Sequence, residues 1–229
     1  MNISSSEIKG IVKEIITEIQ SVRFYLHQHP EPSFKEFNTA DYVRDKLISW
    51  GLSPLTGIAG TGLLVLIEGK NPSSHTVALR ADMDALPIQE LSDVPYKSVN
   101  EGFMHACGHD VHTACLLGAV KVLNELKHKF EGTVKAVFQP GEELLPGGAS
   151  MMIADGALKN PDVNVIFGQH VFPDLPVGKA GFKQGQYMAS CDEIYMTVRG
   201  SGGHGAMPHR CVEDRKSTRL NSSHSDRSR

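Results

Sequence analysis

With 229 residues, 40% of them hydrophobic, and a formal net charge of -3, the chain is long enough to bury a substantial core and has no basic field for nucleic acid. No apolar run approaches the roughly 20 residues of a membrane-spanning helix, and the opening Met1-Asn2-Ile3-Ser4 lacks the basic and then apolar pattern of a secretory leader. These features predict a globular, cytoplasmic protein that works on neither nucleic acid nor membrane.

Ser4-x-x-Glu7 reads as a capping box, and Ile8, Ile11, Val12, Ile15, Ile16 and Ile19 recur at helical spacing, which predicts an amphipathic helix from Ser4. A second helix is predicted over 39–50, stopped by Gly51, and buried strands over 62–67 and 76–79. After Asp110, residues Leu116, Leu117, Val120 and Leu123 mark a helix facing the core. A strand over 133–138, a helix over 149–155 and a strand over 163–167 follow. Strands alternating with helices predict an α/β fold with a largely parallel sheet, whose ligands gather at the carboxyl ends of the strands.

From about Gln186 the texture changes to an alternating strand over 193–198 and the glycine-rich Gly200-Ser201-Gly202-Gly203-His204-Gly205, predicted to open a second domain. The stretch 216–229 carries one apolar residue, Leu220, among serines and arginines, and cannot build a packed element. Its Lys216-to-His224 string resembles a translated sequencing adapter and is expected to lie outside the native fold. The predicted organisation is a catalytic domain over 1–185, the start of a second domain over 186–215, and a tail over 216–229. Four cysteines, Cys107, Cys115, Cys191 and Cys211, are dispersed; in a reducing compartment Cys107, beside a histidine, reads as a ligand and the others as small packing residues.

Three short blocks carry the chemistry. In His105-Ala106-Cys107-Gly108-His109-Asp110, a two-residue spacing in an extended segment would turn Cys107 and His109 to one face, within reach of one metal centre. A thiolate favours zinc or another late transition metal. Gln139-Pro140-Gly141-Glu142-Glu143 places adjacent carboxylates after an apolar strand, where extended neighbours project to opposite sides, one to a metal and the other to a water whose proton it could take. His170, after the last strand, is a further candidate ligand. Asp82 and Asp84 also sit at a strand end, and Asp84 is assigned the second N–H of a ligand histidine.

The blocks Arg80-Ala-Asp-Met-Asp-Ala-Leu-Pro, His105-Ala-Cys-Gly-His-Asp-x-His, Gln139-Pro-x-Glu-Glu and Gly200-x-Gly-Gly-His-Gly-Ala-x-Pro-His, with the earlier Leu26-His-Gln-His-Pro-Glu, resemble those of the M20 metallopeptidases. The likeness is to the amidohydrolase branch, which includes N-acyl-amino-acid amidohydrolases, hippurate hydrolases and auxin-conjugate hydrolases, and it runs from about residue 20 to residue 214. The resemblance implies a zinc-exopeptidase-like catalytic domain and an α+β lid or dimerisation domain. It implies two divalent metal ions (Zn, Mn, Co or Ni) on Cys107, His109, Glu143 and His170, with Glu142 as general base. His204 is implied as an oxyanion donor reaching a site from the lid, often across a homodimer.

The implied reaction is hydrolysis of the amide bond of a small N-acyl amino acid or conjugate, with a dipeptidase or carboxypeptidase as the alternative. The family also has a late ligand histidine that this sequence does not contain, so the chain is expected to be C-terminally truncated, poorly soluble and catalytically inactive as it stands. Gly141 occupies a position where the family often has alanine, an exchange expected to be neutral.

Overall fold

The computed structural model describes residues 3–186 and Thr197. The predicted strand over 193–198 apart from Thr197, the glycine-rich block with His204, Cys191, Cys211 and the tail over 216–229 lie outside the described residues. The chain divides into two compact units, Met1–Asp174 and Leu175–Arg229. All regular elements among the described residues belong to the first.

Helix α1 (Ser5–Gln28) starts where Ser4 Oγ accepts the Glu7 amide at 3.3 Å, and the Glu7 carboxylate pairs with Lys129. The helix buries Ile15, Val22 and Leu26 but leaves Ile8, Val12 and Ile16 exposed. Its apolar stripe is therefore wider than the face the core uses. Helix α2 (Phe37–Ser49) buries Val43 and Leu47. Strand β1 (Leu55–Ile58) is absent from the sequence reading, because four residues without a buried position give no alternation to detect. Then come β2 (Gly62–Glu68), β3 (Thr76–Asp82), α3 (His109–Leu126), β4 (Thr133–Gln139), α4 (Gly148–Ala154) and β5 (Val165–Gly168).

The five strands lie in the order β1-β2-β4-β3-β5. Strands β4, β3 and β5 are parallel, whereas β2 joins β4, and β1 joins β2, in antiparallel register. The parallel part is the part that matters for chemistry, since it brings the carboxyl ends of β3, β4 and β5 to one edge. On one sheet face Leu63, Val65, Ile67, Ala81, Ala136 and Phe138 pack with Val22 and Leu26 of α1, Val43 and Leu47 of α2, and Leu117 and Val120 of α3. On the other, Leu64, Ala78 and Val137 meet Met152 and Ala157. Covering both faces explains why β2 reads as a continuous apolar run.

Lys135 of β4 is buried, and its Nζ donates to the carbonyls of Ala157 at 3.0 Å, Lys159 at 2.7 Å and Pro161 at 3.0 Å. That satisfies all three ammonium protons without a carboxylate. Strand β5 pairs on its β3 side only among the described residues, and its apolar Val165, Ile166 and Phe167 are exposed.

Candidate metal centre

Gly108 has φ +85° and precedes the first residue of α3, so the Cys107-Gly108-His109 segment is a left-handed turn into a helix. The extended arrangement expected from the spacing does not form. The turn brings Cys107 and His109 together by another route, and a Cβ at position 108 would lie 2.4 Å from Val171 Cγ2. Only glycine fits there.

His109 is the hub. Its Nδ1 donates to the Asp84 carbonyl at 2.8 Å and lies 3.2 Å from Asp84 Oδ1, which leaves Nε2 as the open position. Asp84 is itself fixed by the Ser33 hydroxyl at 2.6 Å and the Glu143 amide at 3.0 Å, both on Oδ2. A carboxylate holding a histidine this way sets the tautomer in which Nε2 carries a lone pair. His109 Nε2 and Glu143 Oε1 are buried, 3.7 Å apart and without a hydrogen-bond partner among the described residues. Unpartnered buried polar atoms are costly, and two electron-rich atoms facing each other are stabilised by a cation between them.

The electrostatics agree. Burial disfavours a charged His109, but the Asp84 hydrogen bond, Cys107 and the charges of Asp82 and Asp84 outweigh it and raise its pKa to about 11. The surroundings therefore favour positive charge at Nε2, which a proton supplies in the absence of metal and a bound cation would supply in its place. Candidate ligand atoms of Cys107, His109 and His170 lie within 4.8 Å of one another, as do those of His109, Glu142 and Glu143. The two glutamates do not diverge to opposite sides, because they lie in a bend and both carboxylates reach His109. Burial and the neighbouring Glu143 charge push the Glu142 carboxyl up from its usual range.

His170 Nδ1 donates to the Val171 carbonyl at 2.7 Å and its Nε2 stands 3.3 Å from Cys107 Sγ, on the exposed side of the site. Beside it a cleft of about 250 Å³ is lined by Arg23, His105, Cys107, Val111, His170 and Pro173.

Sequence reasoning gave no role to His112, three residues beyond His109 and so on the same helix face. A third group with ligand spacing, Asp82, His109 and His112, is excluded by its hydrogen bonds. His112 Nδ1 donates to Asp82 Oδ1 at 2.7 Å and its Nε2 accepts the Val171 amide at 2.9 Å, so neither nitrogen is available. Asp82 also pairs with Arg80 at 2.7 Å. Burial would raise the Asp82 pKa, but the His112 hydrogen bond and the charges of Arg80 and His109 bring it down to about 2. The Asp82–His112 pair thus props the segment carrying His170. Cys115 is exposed on α3, not packed as its type suggested.

Asp110, next to His109, receives Arg23 Nε at 2.9 Å and His27 Nδ1 at 2.8 Å, which ties the first turn of α3 to α1. The Asp110 hydrogen bond is the main cause of a raised His27 pKa. His105 is buried with both ring nitrogens unpartnered among the described residues, and burial lowers its pKa to about 4, so its ring is neutral.

With this arrangement in place, comparison with known proteins is direct. The model for peptidase family M20/M25/M40 matches residues 78–221, and the chain belongs to that family. It is 42% identical over 210 residues to an N-acyl-L-amino acid amidohydrolase of Geobacillus stearothermophilus, covering 92% of this chain and 56% of that protein. It is 41% identical over 211 residues to thermostable carboxypeptidase 2 of Saccharolobus solfataricus, covering 90% of this chain and 52% of the relative. The crystal structure of the Bacillus subtilis YXEP protein, described as a dinuclear metal-binding peptidase of the M20 family, aligns with a TM-score of 0.71 at 41% identity, over 76% of this chain and 48% of that one. The chain spans about half the length of the curated relatives it matches. No helix among the described residues is long and apolar enough to cross a membrane.

Proposed function

We propose that this chain carries the metal-binding part of a hydrolase that cleaves the amide bond of N-acyl amino acids or related conjugates. The observation that carries the reading is the pair of buried atoms His109 Nε2 and Glu143 Oε1, unpartnered among the described residues, 3.7 Å apart and flanked by Cys107. A donor set of thiolate, imidazole and carboxylate fits a divalent pair drawn from Zn, Mn, Co or Ni. Cys107, His109, Glu143 and His170 would hold that pair, which when bound supplies Lewis acidity and an acidified water.

The protein's own groups do the rest. Asp84 keeps His109 in the tautomer that presents Nε2. Glu142, with its raised carboxyl pKa, takes a proton from the attacking water and returns it to the leaving amine. His204 would donate to the developing oxyanion from a lid that begins near residue 186. Dimerisation through that lid and a cytoplasmic setting, where Cys107 stays reduced, belong to the same reading.

The similarity to a carboxypeptidase favours a second reading, in which the scissile bond is a peptide bond. Release of free amino acid from N-acetyl and N-benzoyl amino acids, set against dipeptides, separates the two. Both assays belong on the full-length protein that contains this chain, in which Glu142→Gln should keep its metal content and lose about 10²- to 10⁴-fold in rate. Faster cleavage of dipeptides would transfer the assignment to the peptidase, and a protein that takes up no divalent metal would refute both.

A further inference from the structure

Glu36 is fully buried at the N-cap of α2, yet its side chain does not cap that helix. The carboxylate is spent elsewhere. Oε1 accepts the Phe34 amide at 2.9 Å and the Gly141 amide at 2.8 Å, and Oε2 accepts the Thr61 hydroxyl at 2.6 Å. One side chain thereby joins the α1–α2 loop, the residue just before β2, and the loop that leaves β4 toward Glu142 and Glu143.

The two amides it holds belong to a tight contact. Phe34 and Gly141 both have left-handed backbones, at φ +63° and +52°. A Cβ at position 141 would fall 2.4 Å from the Phe34 ring on a left-handed backbone, so a larger residue is strained there. The exchange with alanine is therefore not neutral in this setting. Two residues on, the Glu143 amide is held by Asp84 Oδ2, which the Ser33 hydroxyl also anchors. The three residues Gly141 to Glu143 are thus pinned at both ends by buried carboxylates from other parts of the fold. The side chains of Glu142 and Glu143 remain to face His109.

We infer that Glu36 is a positioning residue for the Glu142-Glu143 pair, acting through the Gly141 amide, with Ser33 serving Asp84 in the same way at the other end. The inference rests on the hydrolase reading above for what the two glutamates do. Geometry, not charge, is the operative property: a glutamine at position 36 can accept both amides on its carbonyl oxygen and donate from its nitrogen to Thr61 Oγ1.

The test uses the full 229-residue chain with Co(II) as the probe, following affinity by chelator competition and the thiolate-to-cobalt absorption that reports Cys107, with thermal melting measured alongside. Glu36→Ala should weaken Co(II) binding about 10- to 100-fold, while the Cys107 absorption persists at saturating metal. A general loss of structure would remove that absorption as well. Glu36→Gln should restore affinity to within about threefold of the wild type, on the hydrogen-bond equivalence just described.

Glu36→Asp keeps the charge but is one methylene too short to hold Thr61 and Gly141 together, so it carries the test if the alanine variant does not fold. Wild-type affinity in a folded Glu36→Ala or Glu36→Asp chain would overturn the inference, as would a glutamine variant as weak as alanine. Failure of the metal-loaded full-length protein that contains this chain to cleave any acyl amino acid would defeat the hydrolase reading, while the Co(II) affinities of the Glu36 variants would remain interpretable.

Discussion

Asp82, Asp84, His109 and His112 are each about 1% exposed and hydrogen-bonded to one another or to the backbone around them, whereas Cys107, Glu142 and His170, a few ångströms away, are partly or fully open. The buried half is shaped by its own folding, since its carboxylates fix the orientation of its histidine rings before any ligand arrives. The open half consists of donors on turns, a bend and a strand end, whose side chains are more exposed and make fewer hydrogen bonds to the fold. Substitutions in the buried half should therefore disturb fold and metal together, and those in the open half metal alone.

The largest effect is expected from His109→Gln. It removes the donor common to every candidate ligand group and leaves Asp84 short of a partner. Metal uptake measured by plasma mass spectrometry should vanish, and unfolding in urea should show a loss of about 1–3 kcal/mol. Retained stability would break the distinction between the halves.

Asp84→Asn comes next. An amide offers one acceptor oxygen where the carboxylate serves His109, Ser33 and the Glu143 amide, and its N–H groups would face donors. Metal affinity should fall about 10- to 100-fold. His170→Ala belongs to the open half: it should weaken metal binding while changing unfolding free energy by no more than about 0.5 kcal/mol, and a clear fall in melting temperature would count against the comparison.

The smallest effect is a pH dependence. Burial raises the Glu36 carboxyl above its ordinary 4.5, opposed by its hydrogen bonds to Thr61 and Gly141. A group that holds its proton more tightly when folded favours the fold below its unfolded pKa, and this contribution is lost as pH rises through the folded value. Glu36→Gln has no such proton. Its melting temperature relative to the wild type should therefore climb between acid and neutral pH, and a flat difference would show that Glu36 binds its proton equally in the folded and unfolded chains.

Much of this was legible in the sequence where periodicity or chemistry is local. Helices α1, α2, α3 and α4 and strands β2, β3, β4 and β5 follow from runs of apolar residues with glycine and capping signals at their ends. Cys107, His109 and His170 stand out by donor type, and the choice of Glu143 over Glu142 as a ligand rests on the family resemblance alone; the structure gathers Cys107, His109 and His170 in one group of candidate ligand atoms and His109, Glu142 and Glu143 in another. Strand β1 was hidden because it is short and exposed. The antiparallel β2–β4 pairing was hidden because strand order is decided by packing on both sheet faces.

The roles of Glu36, Ser33 and His112 were hidden for another reason. Their partners are distant in sequence: 105 positions separate Glu36 from Gly141. A buried carboxylate in a loop gives no periodic signal. The convergence of Glu142 and Glu143 was misread because an extended backbone was assumed where the chain bends.

Lys135 closes three carbonyls of the 157–161 segment around its ammonium, with no path to water. Acylating reagents react with an amine only when it is deprotonated and reachable, so Lys135 should be modified far more slowly than the surface lysines of the same chain. Its labelling rate would then time the opening of the segment behind the sheet. A single buried amine thus turns a structural latch into a chemical clock for local unfolding.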